Sequence, residues 1–169
     1  MEGKPLPKLS LENWRGEPVD VNNNQGKVMV IDFWATWCEP CKKQMRYLDL
    51  FYNHFKPTGF NILTVNTDSP KSMSKVKPYV RTKGFEFHVA VDPNSQLKKK
   101  LKVQQMPTTI LIDQDGTIVY RHKGYVPGDE VGILKAITDI LDKKEIKYAT
   151  LDLDKVQTIN KKGKLDIDF

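Results

Sequence analysis

Seven residues, Val28-Met29-Val30-Ile31-Asp32-Phe33-Trp34, form a nearly unbroken apolar run, and Cys38-Glu39-Pro40-Cys41 follows closely behind it. Such a run suits a central strand covered on both faces. Beyond the cysteines the period changes. Met45, Leu48, Tyr52 and Phe55 recur at steps of three and four, with Phe51 beside them, which predicts a helix from Glu39 to Phe55. Pro40 falls in the first turn, where its missing N–H costs nothing, and Pro57 and Gly59 end the helix. The chain is thus committed to a buried strand feeding a helix, with a cysteine pair at the junction.

Those two cysteines are the only ones in 169 residues. No third is left for a structural disulfide, and a two-residue gap closes too small a loop to stabilise a fold much. The pair is therefore present for reactivity or for a metal. Tetrahedral zinc needs two further ligands. His54, His88 and His122 lie on separate elements with no ligand spacing, so redox chemistry is favoured, with no metal and no cofactor. Cys38, just ahead of the helix, faces free N–H groups and the positive end of the helix dipole. Both favour a thiolate, and cysteines so placed have pKa values lowered to roughly 3.5–7.5. Cys38 can then attack a partner's disulfide, and Cys41, one turn on, can resolve the mixed disulfide. Pro40 fixes the backbone between them. Glu39 works against the Cys38 thiolate, with Lys42 and Lys43 partly offsetting it. A less stabilised thiolate makes a weaker oxidant, so the direction expected is reduction.

The remaining chain alternates strands and helices. Lys8–Asn13 and Pro18–Val21 read as short extended pieces around an Arg15-Gly16 turn, and Asn22 to Gly26 as a loop. Phe60–Val65 reads as a second buried strand. Ser69-Pro70 opens a helix towards Lys83 that Pro78 should kink or split. Phe87–Val91 reads as a third strand, and a short helix runs up to Leu101. Thr108–Ile112 and Thr117–Arg121 flank the hairpin signature Asp113-Gln114-Asp115-Gly116. A last helix, Asp129–Leu141, should bury Val131, Leu134, Ile137, Ile140 and Leu141. This order implies an α/β fold with a mixed central sheet, an N-terminal β-hairpin and helices on both faces. Residues 1–141 form the expected domain. Residues 142–169 form an extension in which Leu151–Asp154 and Leu165–Phe169 alternate as two short strands would, with Asn160–Gly163 as a turn.

The net charge of +6 comes from scattered lysines, without the basic stripe or interleaved aromatics of a nucleic-acid binder, so no nucleic acid is expected as a partner. Met1 to Leu11 holds two prolines and no apolar h-region, so it does not read as a signal peptide.

The octapeptide Trp34-Ala35-Thr36-Trp37-Cys38-Glu39-Pro40-Cys41 resembles the active site of the thioredoxin superfamily, and most of all its TlpA/ResA-like branch of extracytoplasmic reductases. The resemblance extends from Leu9 to Leu141, with further anchors in Met106-Pro107-Thr108-Thr109 and Gly124. It implies a thioredoxin-like fold and a thiol–disulfide oxidoreductase. It also implies a cis bond before Pro107, beside Cys38, leaving the Met106 backbone to pair with substrate. Asp32 matches the superfamily's buried acid behind the second cysteine, with a proposed role as general base for Cys41. Where the resemblance implies a lysine near that acid, Thr64 stands instead. Trp37 is expected to be exposed and to contact substrate, while Trp34 and Phe33 are structural. Thr36 lacks the spacing to Cys38 that peroxidase chemistry needs. The branch implies protein disulfides as substrates (apocytochromes c or other secreted proteins), electrons from a membrane thiol transporter, and a periplasmic or membrane-anchored setting for cytochrome c maturation. A disulfide-forming oxidase and a non-enzymatic binding module remain the alternative readings.

Overall fold

The computed structural model describes residues 3–22 and 26–154. Seven strands form one mixed sheet: β1 (Ser10–Asn13), β2 (Pro18–Asp20), β3 (Met29–Trp34), β4 (Asn61–Asn66), β5 (His88–Val91), β6 (Thr108–Ile112) and β7 (Ile118–Lys123), in the spatial order β2-β1-β5-β4-β3-β6-β7. The β3–β4 and β4–β5 pairs are parallel, and every other pair is antiparallel. All six residues of β3 are buried, as its apolar run requires.

Alternation along β3 divides its side chains between two cores. Met29, Ile31 and Phe33 join Leu63, Val65, Ile110 and Ile112 on one face, covered by Leu97 and Leu101 of α3 (Gln96–Lys100) and its end. Val30 and Trp34 point to the other face, which carries α1 (Glu39–Phe55), α2 (Val76–Lys83) and α4 (Asp129–Lys143). Asp32 lies between Val30 and Trp34 and so shares the α1 side. Register sets Thr64 of β4 and Thr109 of β6 directly beside it. Three polar side chains therefore form a row across the sheet beneath α1, all with 1% exposure or less.

Helix α1 spans the residues its period predicts and turns Cys41, Met45, Leu48, Phe51 and Phe55 inward. It runs on into a 3-10 turn over Lys56–Thr58, which stops where Gly59 takes φ 91°, a left-handed conformation that costs glycine nothing. The helix expected from Ser69 starts only at Val76, after a 3-10 turn over Met73–Lys75. Pro78 then falls within its first turn, where no N–H is required, and there is no mid-helix kink.

Two further expectations are corrected. Helix α4 buries Glu130, Ile133, Ile137, Ile140 and Leu141, whereas Val131 is 56% exposed and Leu134 only partly covered. The inward turn of Glu130 sets this register, because its Oε2 accepts from Tyr125 Oη at 2.9 Å and from the Gly128 N–H at 2.8 Å. Leu151–Asp154 is not a strand: Leu153 and Asp154 are helical. Leu153 is buried with α1 and α4, and Ile146, Tyr148 and Leu151 pack on the same core, so this segment meets helices and not a sheet edge. Asn160–Gly163 and Leu165–Phe169 lie outside the described residues.

Candidate active site

Cys38 and Cys41 are joined as a disulfide with their Cα atoms 5.3 Å apart. Cys38 is the N-cap of α1, with extended backbone (φ −101°, ψ 100°), and its Sγ accepts a hydrogen bond from the Cys41 N–H at 3.3 Å. The helix N-terminus thus aims a backbone dipole at that sulfur. Pro40 sits in the first turn. Cys38 retains 5% exposure and Cys41 none, so solvent and any partner reach the pair from the Cys38 side. Trp37, 65% exposed, stands next to it, while Trp34 and Phe33 are wholly buried. Glu39 is exposed, and its Oε1 lies 3.4 Å from Lys42 Nζ.

The Met106–Pro107 peptide is cis. Pro107 O accepts from the Gly124 N–H at 2.7 Å, and Thr67 Oγ1 donates to Met106 Sδ at 3.1 Å, so the loops after β4 and β7 both brace this turn. Gly124 has φ 76°, a left-handed conformation that favours glycine over any residue with a side chain.

On the α1 side of the sheet Asp32 is fully buried, and desolvation pushes its pKa up to about 8, against the lowering effect of hydrogen bonds from Thr109 and Gln44. Gln44 Nε2 donates to Asp32 Oδ1 at 2.7 Å, and Thr109 Oγ1 donates to the same oxygen at 3.0 Å. Thr64, at the position where a lysine was implied, instead donates to His88 O at 3.3 Å.

Sequence reasoning missed Gln44 and Asp68, and it named Thr109 only within the anchor Met106-Pro107-Thr108-Thr109, without its bond to Asp32. Gln44 is three residues past Cys41 and shares a helix face with it, but nothing in the local pattern ties Gln44 or Thr109 to Asp32. Asp68 holds the active-site loop: Oδ1 accepts from the Thr36 N–H at 2.7 Å and Asn66 Nδ2 at 2.8 Å, and Oδ2 from Thr36 Oγ1 at 2.5 Å and Ser72 Oγ at 2.8 Å. Burial raises its pKa, but the donors outweigh that, and the net shift is downward. Asp68→Ala leaves these donors unpaired and should cost about 3 kcal/mol in urea denaturation at pH 7. Because the folded pKa is depressed, the native protein should lose this contribution as pH falls below the ordinary carboxylate value of about 4, and the variant should show a flatter acid limb.

Residues 1–137 match the protein family described as Redoxin. The thiol-disulfide oxidoreductase ResA of Bacillus subtilis (strain 168) is 36% identical over 118 residues, covering 70% of this chain and 65% of that protein, so the match spans just under two thirds of the relative's length. ResA of Bacillus anthracis is 32% identical over 137 residues, covering 80% of this chain and 78% of that protein. Among solved structures, the Chlorobium tepidum protein assigned as thiol:disulfide interchange protein DsbE superposes with TM-score 0.78 at 30% identity, covering 83% of this chain and 98% of that one.

Proposed function

This chain belongs to the redoxin family as a thiol–disulfide oxidoreductase, and we propose that it reduces disulfides of protein substrates, with Cys38 attacking and Cys41 resolving. The observation that carries this reading is the asymmetry of the pair. Cys38 caps the helix and retains an exposed edge beside Trp37, whereas Cys41 is sealed beneath it. In the reaction the Cys38 thiolate attacks a substrate sulfur and expels the other as a thiolate. Cys41 gives up its proton to Asp32 and attacks Cys38 Sγ, which closes the intramolecular disulfide and frees the reduced substrate. Trp37, Pro107 and the Met106 backbone form the proposed docking rim for an extended substrate segment, in the manner of strand addition.

The reducing direction is supported by Glu39, whose carboxylate next to Cys38 disfavours a thiolate, with Lys42 only partly compensating at 3.4 Å. Equilibration against glutathione or dithiothreitol, followed by tryptophan fluorescence, should place the potential nearer thioredoxin at about −270 mV than the strong oxidant class at about −120 mV. A value at the oxidant end would reassign the protein to disulfide formation. Secreted proteins, apocytochromes c among them, are the substrates this reading favours, with electrons drawn from a membrane thiol transporter. The setting is extracytoplasmic, where protein disulfides persist. No helix among the described residues is long and apolar enough to cross a membrane.

A further inference from the structure

We infer that Gln44 and Thr109 are positioning residues that hold Asp32 by its Oδ1 and so reserve Oδ2 as the oxygen that exchanges a proton with Cys41. The inference rests on the reading of Asp32 as the base for Cys41. Its ground is a closed triangle of hydrogen bonds. Gln44 Nε2 donates one hydrogen to Asp32 Oδ1 and the other to Thr109 Oγ1, both at 2.7 Å, and the Thr109 hydroxyl passes its own hydrogen on to Oδ1 at 3.0 Å. With Asp32 ionised, Gln44 Oε1 in the same place would set two acceptors 2.7 Å apart, so the carboxylate selects this amide orientation, which leaves Oε1 buried with no hydrogen-bond partner among the described residues.

Two donors already converge on Oδ1, so a carboxyl proton placed there would point at another hydrogen. It belongs on Oδ2, which is buried and meets no donor among the described residues. The clamp is therefore compatible with both protonation states, because Oδ1 is an acceptor in each. Gln44 and Cys41 are three residues apart on α1 and share one face of it, which ties the clamp to the helix that carries the resolving sulfur. Backbone register fixes the other end, with Thr109 directly opposite Asp32.

Oδ2 takes the Cys41 thiol proton, and the sulfur electron pair attacks Cys38 Sγ. The bond from Cys38 to the substrate sulfur breaks, and that sulfur leaves as a thiolate and takes a proton from water. Two electrons pass from the dithiol to the substrate disulfide, and no other oxidant is required.

Both donors favour the carboxylate over the acid, against the burial that raises its pKa. Loss of either should make Oδ2 hold its proton more tightly and leave less base at neutral pH. The test titrates the Asp32 carboxyl by carbon-13 NMR in the oxidised full-length protein. It is paired with stopped-flow closure of a Cys38–glutathione mixed disulfide, for wild type, Gln44→Leu, Thr109→Val, Thr109→Ser and Asp32→Asn. Gln44→Leu and Thr109→Val should each raise the midpoint by about one pH unit and slow closure at pH 7 about tenfold. The slowing should fade above the new midpoint, which loosened packing would not produce. Thr109→Ser keeps the hydroxyl and should titrate like wild type. Thr109→Val, nearly isosteric, carries the test if Gln44→Leu does not fold. Unmoved midpoints in the variants that fold overturn the clamp. Closure by Asp32→Asn at the wild-type rate overturns instead the base reading, and with it the proton exchange at Oδ2.

Discussion

Cys41→Ser should turn the protein into a trap that accumulates a covalent mixed disulfide with its substrate, while Cys38→Ser should form none. Both variants should fall to the uncatalysed rate in a disulfide-reductase assay, because turnover needs both sulfurs. What separates them is where the reaction stops. With Cys41 replaced, Cys38 remains at the helix N-cap with its exposed edge, where the Cys41 position still offers a backbone N–H at 3.3 Å. It can attack, but nothing inside the protein can resolve the product. With Cys38 replaced, the remaining sulfur is one turn inside α1 with no exposed surface, and a folded substrate cannot reach it. Non-reducing gels and intact-mass measurement after incubation with a disulfide-bonded substrate distinguish the two. An adduct with Cys38→Ser and none with Cys41→Ser would reverse the assignment of attacking and resolving sulfurs.

The parts of this site that were legible in the sequence are those set by local pattern. The apolar run of β3, the period of α1 and the cysteine spacing each lie within one segment, and each predicted its element to within a residue or so. Asp32 was visible because a single carboxylate in an apolar run is conspicuous. Its partners were not. Thr109 is 77 residues away and arrives by strand pairing, and Gln44 is a polar residue on a helix whose polar positions usually face water. Glu130 failed for the same reason: counting apolar residues around α4 puts Val131 inside, because the count cannot see a carboxylate drawn inward by the Tyr125 hydroxyl and the Gly128 N–H. The alternation at Leu151–Asp154 misled in the opposite direction. Alternation marks a strand only where an edge is free to pair, and this segment meets helices on the α1 side.

Asp32→Asn should make the oxidised protein more stable at neutral pH, with a gain that grows from pH 4 to pH 8. Burial raises the folded pKa from 3.8 to about 8 despite the donors on Oδ1. Below about pH 4 the carboxyl is protonated in both folded and unfolded states, so its ionisation costs the fold nothing. Between pH 4 and pH 8 the unfolded chain releases the proton and the folded one keeps it, so stability falls by about 1.4 kcal/mol per pH unit from this group alone. At pH 7 the accumulated loss is on the order of 4 kcal/mol, and above pH 8 it no longer grows. Asparagine carries no ionisation cost, and its carbonyl can take over the role of Oδ1 as acceptor for Gln44 and Thr109. Its amide hydrogens, in the place of Oδ2, offset part of the gain by lacking an acceptor. Urea denaturation of both oxidised proteins at pH 4, 6 and 8 should therefore give stabilities that are similar at the lowest pH and diverge to about 2–4 kcal/mol at the highest. Parallel curves across that range would mean that Asp32 ionises as easily in the folded protein as in the unfolded chain. A carboxyl of that kind would already have lost its proton well below neutral pH, and the resolution step could not then show a midpoint near pH 8. The substitution thus tests the same group twice, because its cost to the fold and its proposed use to Cys41 both depend on one buried carboxyl moved out of the ordinary range.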